Sequence, residues 1–107
     1  MTKKKTYYAV IFASKLTVNA DGYHDMSSHM ETLAKKQKGF ISMDSVRNNI
    51  GITVSYWETL EDIKNWKHQS EHLKAQEKGK NDWYSWYHVR ICKVEHEYEF
   101  GILQVKN

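Results

Sequence analysis

Residues 7–14 read Tyr-Tyr-Ala-Val-Ile-Phe-Ala-Ser, and no position in the run is charged. β-branched and aromatic residues suit a pleated surface, and an unbroken apolar run reads as a strand covered on both faces. One cover comes from the chain that follows; the other does not.

Beyond this strand, Asn19-Ala20-Asp21-Gly22 is a turn that offers Asp21 as a helix cap. Tyr23, Met26, Ser27, Met30, Leu33, Ala34 and Gln37 then recur at helical spacing, one apolar stripe that ends at Gly39. Residues 40–47 and 52–57 are two short strands joined by Asn48-Asn49-Ile50-Gly51, a hairpin signal. Thr59 opens a second helix, with Asp62 three residues later in a capping-box pattern. Ile63, Trp66 and Leu73 make its inward side. Ser70-Glu71 offers a break and a new short segment ending at Gly79. Residues 83–98, rich in aromatic and branched side chains, form the last strand.

The order β-α-β-β-α-β is the ferredoxin-like arrangement, an α+β fold. Two helices cover one face of a four-stranded sheet. The first strand, apolar on both faces, needs a second cover, and a second copy of the chain supplies it most cheaply, as a homodimer packed sheet to sheet.

Composition narrows the function classes. With 107 residues the chain is one domain. The reading is a disordered basic tail over residues 1–6 and a single domain over 7–107. Lys3, Lys4 and Lys5 account for the whole net charge of +3. A nucleic-acid protein would gather charge on one element, so no nucleic-acid partner is expected. No stretch approaches the roughly 20 apolar residues of a membrane span, and the apolar run near the start is too short for a secretory leader. Cys92 is the single cysteine, which excludes an internal disulfide and fits a reducing cytoplasm.

Candidate chemistry gathers in residues 66–98. His68-Gln69-Ser70-Glu71-His72 matches the H-x-x-E-H pattern of inverted zinc peptidases. Three specified positions in five arise easily in a chain with six histidines, and such sites need a third ligand from elsewhere; no metal is expected. His72 is either a surface histidine or, if the helix breaks near Ser70, a proton-transfer group turned inward. Trp66, Trp83, Tyr84, Trp86 and Tyr87 are core by default, and some of them should face a polar cavity. Arg90, mid-strand between Val89 and Ile91, either pairs with Asp44 or Glu58 or holds an anionic substrate group.

These segments together resemble the antibiotic biosynthesis monooxygenase domain: YYAVIFAS, then KKQKGFISMDSVRN, then GITVSYWETLEDIKNWKHQSEHLKAQEKG, then WYSWYHVRICKVEHEY. The resemblance spans residues 8–98. Members usually carry proline where Lys38 precedes Gly39, a difference confined to a turn. The resemblance implies a dimeric α/β barrel, with a pocket between sheet and helices in each protomer. It implies oxygenation of a phenol- or quinol-like molecule without flavin, nicotinamide or other cofactor. The haem-degrading members are the alternative. They carry an asparagine where this chain has Ser14, a tryptophan matched by Trp66, and a histidine ligand near Gln76, one turn beyond His72. A binding protein without chemistry is the third reading. On the first, His72 transfers the proton, Tyr84 contacts oxygen, and Arg90 stabilises the anion. Trp66 and Trp83 wall the ring, with Phe12 and Ser14 as further contacts.

Overall fold

The computed structural model describes residues 6–76 and 83–101. The expectations for Lys3–Lys5, for the Gln76 side chain and for a helix end at Gly79 lie outside that description. The elements run β1 Tyr8–Leu16, α1 Tyr23–Lys35, β2 Phe40–Arg47, β3 Gly51–Trp57, α2 Leu60–Gln76 and β4 Tyr84–Lys93. They form one antiparallel sheet in the order β2-β3-β1-β4, the ferredoxin-like α+β fold. Among the described residues no helix is long and apolar enough to cross a membrane.

Strand alternation sorts the side chains onto two faces. Pairing puts Tyr8, Val10, Phe12 and Ser14 level with Trp57, Ser55, Thr53 and Gly51 on one side, and with Lys93, Ile91, Val89 and Tyr87 on the other. This face carries the helices, because Trp57 stacks on Trp66 of α2 at 6.2 Å. Trp57 is fully buried and meets Phe40 edge-on at 5.5 Å. Its indole nitrogen donates to the Ser55 hydroxyl at 2.9 Å, so nothing polar is left unpaired by the burial. The opposite face presents Ala9, Ile11 and Ala13 beside Tyr56, Val54 and Ile52, bordered by Val46 on β2 and by Trp86 and Arg90 on β4.

Two caps differ from expectation. Asp21 does not cap α1; Gly22, with φ of 86°, occupies that position and no side chain bonds the first turn. A left-handed backbone there suits glycine and turns the chain sharply into the helix. At α2 the expected pair is present. The Asp62 amide donates to the Thr59 hydroxyl at 3.0 Å, and that hydroxyl donates to the Asp62 carboxylate at 2.8 Å. Gly39, with φ of +85°, sits where any Cβ would overlap that carboxylate, so the turn before β2 and the α2 cap share one constraint.

The expected break at Ser70 is absent. Helix α2 runs uninterrupted from Leu60 to Gln76, because the Ser70 hydroxyl donates back to the carbonyl of Lys67 at 3.0 Å instead of capping a new segment. Lys67 and Glu71 pair across the same turn at 3.0 Å. Strand β4 is also shorter than residues 83–98: it leaves the sheet after Lys93, and the Val94 amide closes on the carbonyl of Tyr7 at 3.0 Å.

Candidate functional site

One row of the sheet builds the site. Arg47 of β2, Gly51 of β3, Ser14 of β1 and Tyr87 of β4 stand level across all four strands on the helix face. Gly51 has no side chain, so the Arg47 guanidinium lies over its Cα; a Cβ there would overlap the guanidinium. Beyond Gly51 the guanidinium reaches Ser14, which is fully buried. Nη2 of Arg47 donates a short hydrogen bond to the Ser14 hydroxyl, and Nη1 donates to the Ser14 carbonyl at 3.4 Å.

Tyr23, the first residue of α1, closes over this row. Its ring lies 5.3 Å from the Arg47 guanidinium, a cation–π contact, and its hydroxyl accepts from Nη2 at 3.5 Å. It also meets Trp83 and Tyr84 edge-on, at 6.0 and 5.7 Å. Trp83 is buried and locked in place: its indole nitrogen donates to the Asp21 carbonyl at 2.7 Å, and its own carbonyl accepts from the Thr17 amide at 2.7 Å. Phe12 stacks on Tyr87 at 5.3 Å, with 14° between the planes, and meets Tyr84 edge-on at 5.6 Å. Tyr84 and Tyr87 touch at 5.5 Å.

The result is an aromatic cluster with a cation at one end. Both ends reach solvent: Arg47 is exposed, and Tyr87 at the other end is 55% exposed. Among the described residues no carboxylate pairs with Arg47; the ion pairs found there are helical ones, Lys35–Glu31 and Lys67–Glu71. Tyr84 is held firmly protonated. Burial pushes its phenol well above the usual range, and the neighbouring Tyr23 adds to this by its charge and a hydrogen bond, against a partial offset from Arg47. The Tyr84 hydroxyl is therefore a donor across the ordinary pH range.

The expected site residues divide. Phe12, Ser14, Trp83 and Tyr84 come together here. Trp66 does not join them: it stacks on Trp57, level with Tyr8 at the start of β1, while Trp83 sits at the end of that strand, roughly 25 Å further along nine residues of extended chain. His72 is exposed on the unbroken α2, so the inward turn proposed for it, and with it a place beside both indoles, is corrected. Arg90 stands level with Ile11 on the face away from the helices. It cannot stabilise an anion in this cluster. Nor does it pair with Asp44 within the chain, since Asp44 shares its row but lies three strands away at the other edge.

Arg47 and Tyr23 were not anticipated, and Tyr87 was read only as one of five aromatics of which some should face a cavity. The helical stripe marked Tyr23 as core, and Arg47 read as the end of a strand. The signal for Arg47 was the hairpin: strands closing on Asn48-Asn49-Ile50 set Arg47 opposite a glycine. Among the described residues no group of three or more histidine, cysteine, aspartate or glutamate side chains is placed to hold a metal.

Comparison with known proteins places these residues in a family. The model of the monooxygenase af470-like family matches residues 6–101. The uncharacterized protein YqjZ of Bacillus subtilis strain 168 is 44% identical over 98 residues, covering 90% of this chain and 86% of its own. Among solved structures, SnoaB of Streptomyces nogalater, a cofactor-independent oxygenase, superposes with a TM-score of 0.61 at 9% identity, over 90% of this chain and 97% of that one. A conserved protein from Methanosarcina mazei Go1 gives 0.64 at 10% identity, over 85% and 93%. At such identities these two likenesses show a shared fold.

Proposed function

The chain belongs to the monooxygenase af470-like family, and from that premise we propose that it oxygenates a small, flat, electron-rich aromatic molecule of the phenol or quinol class, without flavin or nicotinamide. The observation that carries the reading is Arg47, a cation with neutral partners at one edge of an aromatic cluster.

A phenol laid against Phe12 and Tyr87 would bring its oxygen toward Arg47 and Tyr84. The guanidinium favours the phenolate, and the protonated Tyr84 donates to it, so the substrate gives up its proton without a strong base beside it. The phenolate then supplies the electrons. In the simplest case a phenol becomes a quinone. One atom of dioxygen forms the new carbonyl; the other leaves as water with the hydroxyl and ring hydrogens. Dioxygen gains four electrons and the substrate loses four. Trp83 and Tyr23 wall the cluster, and Ser14 aims Arg47. SnoaB, with the same fold, is a cofactor-independent oxygenase, an analogy that favours this reaction class.

Incubation of the metal-free protein with a panel of naphthols and anthrones under ¹⁸O-labelled dioxygen tests the reading. One labelled atom in the product and one in water is expected. Binding of the panel with no oxygen uptake would instead make the protein a carrier or sensor.

The working unit is a homodimer through the helix-free face. That face exposes Val46, Ile52 and Trp86 together, beside Ile11 and Val54. Asp44 and Arg90 occupy one row at opposite edges of it. A two-fold axis along the strands would set each against the other in a second copy, giving two ion pairs to charges that have none among the described residues. The free thiol of Cys92 suits the reducing cytoplasm.

A further inference from the structure

We infer that the substrate carries a carboxylate beside its phenolic oxygen, so that the site selects planar hydroxyaryl carboxylic acids and Arg47 is the residue that selects them. The inference rests on the aromatic cluster being the substrate site.

The geometry of Arg47 is that of a fork already closed on two oxygens. Its two terminal nitrogens address the carbonyl and the hydroxyl of one residue, Ser14. A carboxylate presents the same two-oxygen edge with a full negative charge, and bidentate carboxylate recognition is the pairing for which a guanidinium is best suited. The present contacts are weaker. The carbonyl bond is 3.4 Å and the Tyr23 bond 3.5 Å, both beyond the common range. Asp44, three residues back on β2, faces the opposite side of the sheet. Arg47 is exposed and no carboxylate among the described residues occupies its fork, so a carboxylate arriving from solvent can take it.

Spacing fixes where the ring goes. Three strand gaps separate Arg47 from Tyr87 along the row, about 14 Å at ordinary strand spacing. The guanidinium spans two of those three gaps to reach Ser14. The remaining gap, about 5 Å, leads to Tyr87 and its stacked neighbour Phe12, at the height of a flat ring. A carboxylate on Arg47 therefore lays its aromatic ring toward that stack, with Tyr84 at hand for an adjacent hydroxyl.

Titration of 1-hydroxy-2-naphthoate and 1-naphthol, followed by tryptophan fluorescence, tests this. The native protein should bind the acid at least about tenfold more tightly than the naphthol, as expected for one charge-assisted bidentate contact. Arg47→Gln should remove most of that preference while weakening naphthol by less than about threefold. Gly51→Ala, which crowds the guanidinium without changing charge, should also lower the preference and covers the case in which Arg47→Gln fails to fold. Equal affinities in the native protein, or a preference that survives both substitutions, would overturn the inference while leaving the aromatic site intact. Failure of both probes to bind would count against the site itself.

Discussion

Arg47 crosses the bare backbone of Gly51 to hydrogen-bond Ser14, two strands away and fully buried. A surface strand end thereby delivers a cation into an aromatic cluster, and it can do so because the intervening residue has no side chain.

Gly51→Ala tests that delivery. The new methyl meets the far end of a flexible side chain, so Arg47 moves and the fold remains, at a cost of about 1 kcal/mol. Denaturant unfolding should show this small loss. Turnover of a phenol that binds in the cluster should fall much further, as expected when an anion-stabilising donor is displaced, on the order of 100-fold.

The state of Tyr84 has a consequence at high pH. An unfolded chain gives up this proton near the ordinary tyrosine value of 10.0, whereas the folded chain holds it higher. The folded state then binds more protons, so Tyr84 lowers stability as pH rises above about 10 and has no effect below it. Unfolding midpoints from pH 8 to about 11 should decline in the native protein and decline less in Tyr84→Phe.

Core and site separate cleanly. Trp57→Ala removes a fully buried indole far from Arg47 and should cost about 3–5 kcal/mol. Gly39→Ala places a methyl on the Asp62 carboxylate at a backbone angle that favours glycine and should cost about 1–3 kcal/mol. In both variants the fraction still folded should bind 1-naphthol with native affinity, measured by titration below the unfolding transition.

The charged corners of the open face predict the assembly. Light scattering should show a dimer at micromolar concentration. Arg90→Asp should weaken it by about 1–3 kcal/mol, and adding Asp44→Arg should restore it by exchanging the charges. A native monomer at that concentration would remove the sheet-to-sheet dimer.

Periodicity carried most of the fold. The two-sided apolar run of β1, the stripe from Tyr23 to Ala34 and the Thr59–Asp62 box each encode a local preference that the tertiary structure keeps. Ser70 misled because a serine hydroxyl either starts a helix or bonds back within one, and sequence does not distinguish the two. The site was half legible. Phe12, Ser14 and Tyr84 lie on strands whose ends were readable, and Trp83 immediately precedes one, so their meeting followed from topology. Arg90 fell on the wrong face because the parity of β4 against β1 is a matter of register, and one residue of slip exchanges the faces. Arg47 was missed for a related reason. Its importance lies in what faces it, a glycine and then a serine, and those neighbours come from pairing between strands.

The location of the site is the central claim, and an amide chemical-shift titration with 1-hydroxy-2-naphthoate tests it most directly. The expected result is a contiguous set of shifts at Phe12, Ser14, Tyr23, Arg47, Gly51, Tyr84 and Tyr87, unchanged by His72→Ala. Shifts centred on α2 around Trp66 and His72, abolished by His72→Ala, would contradict it.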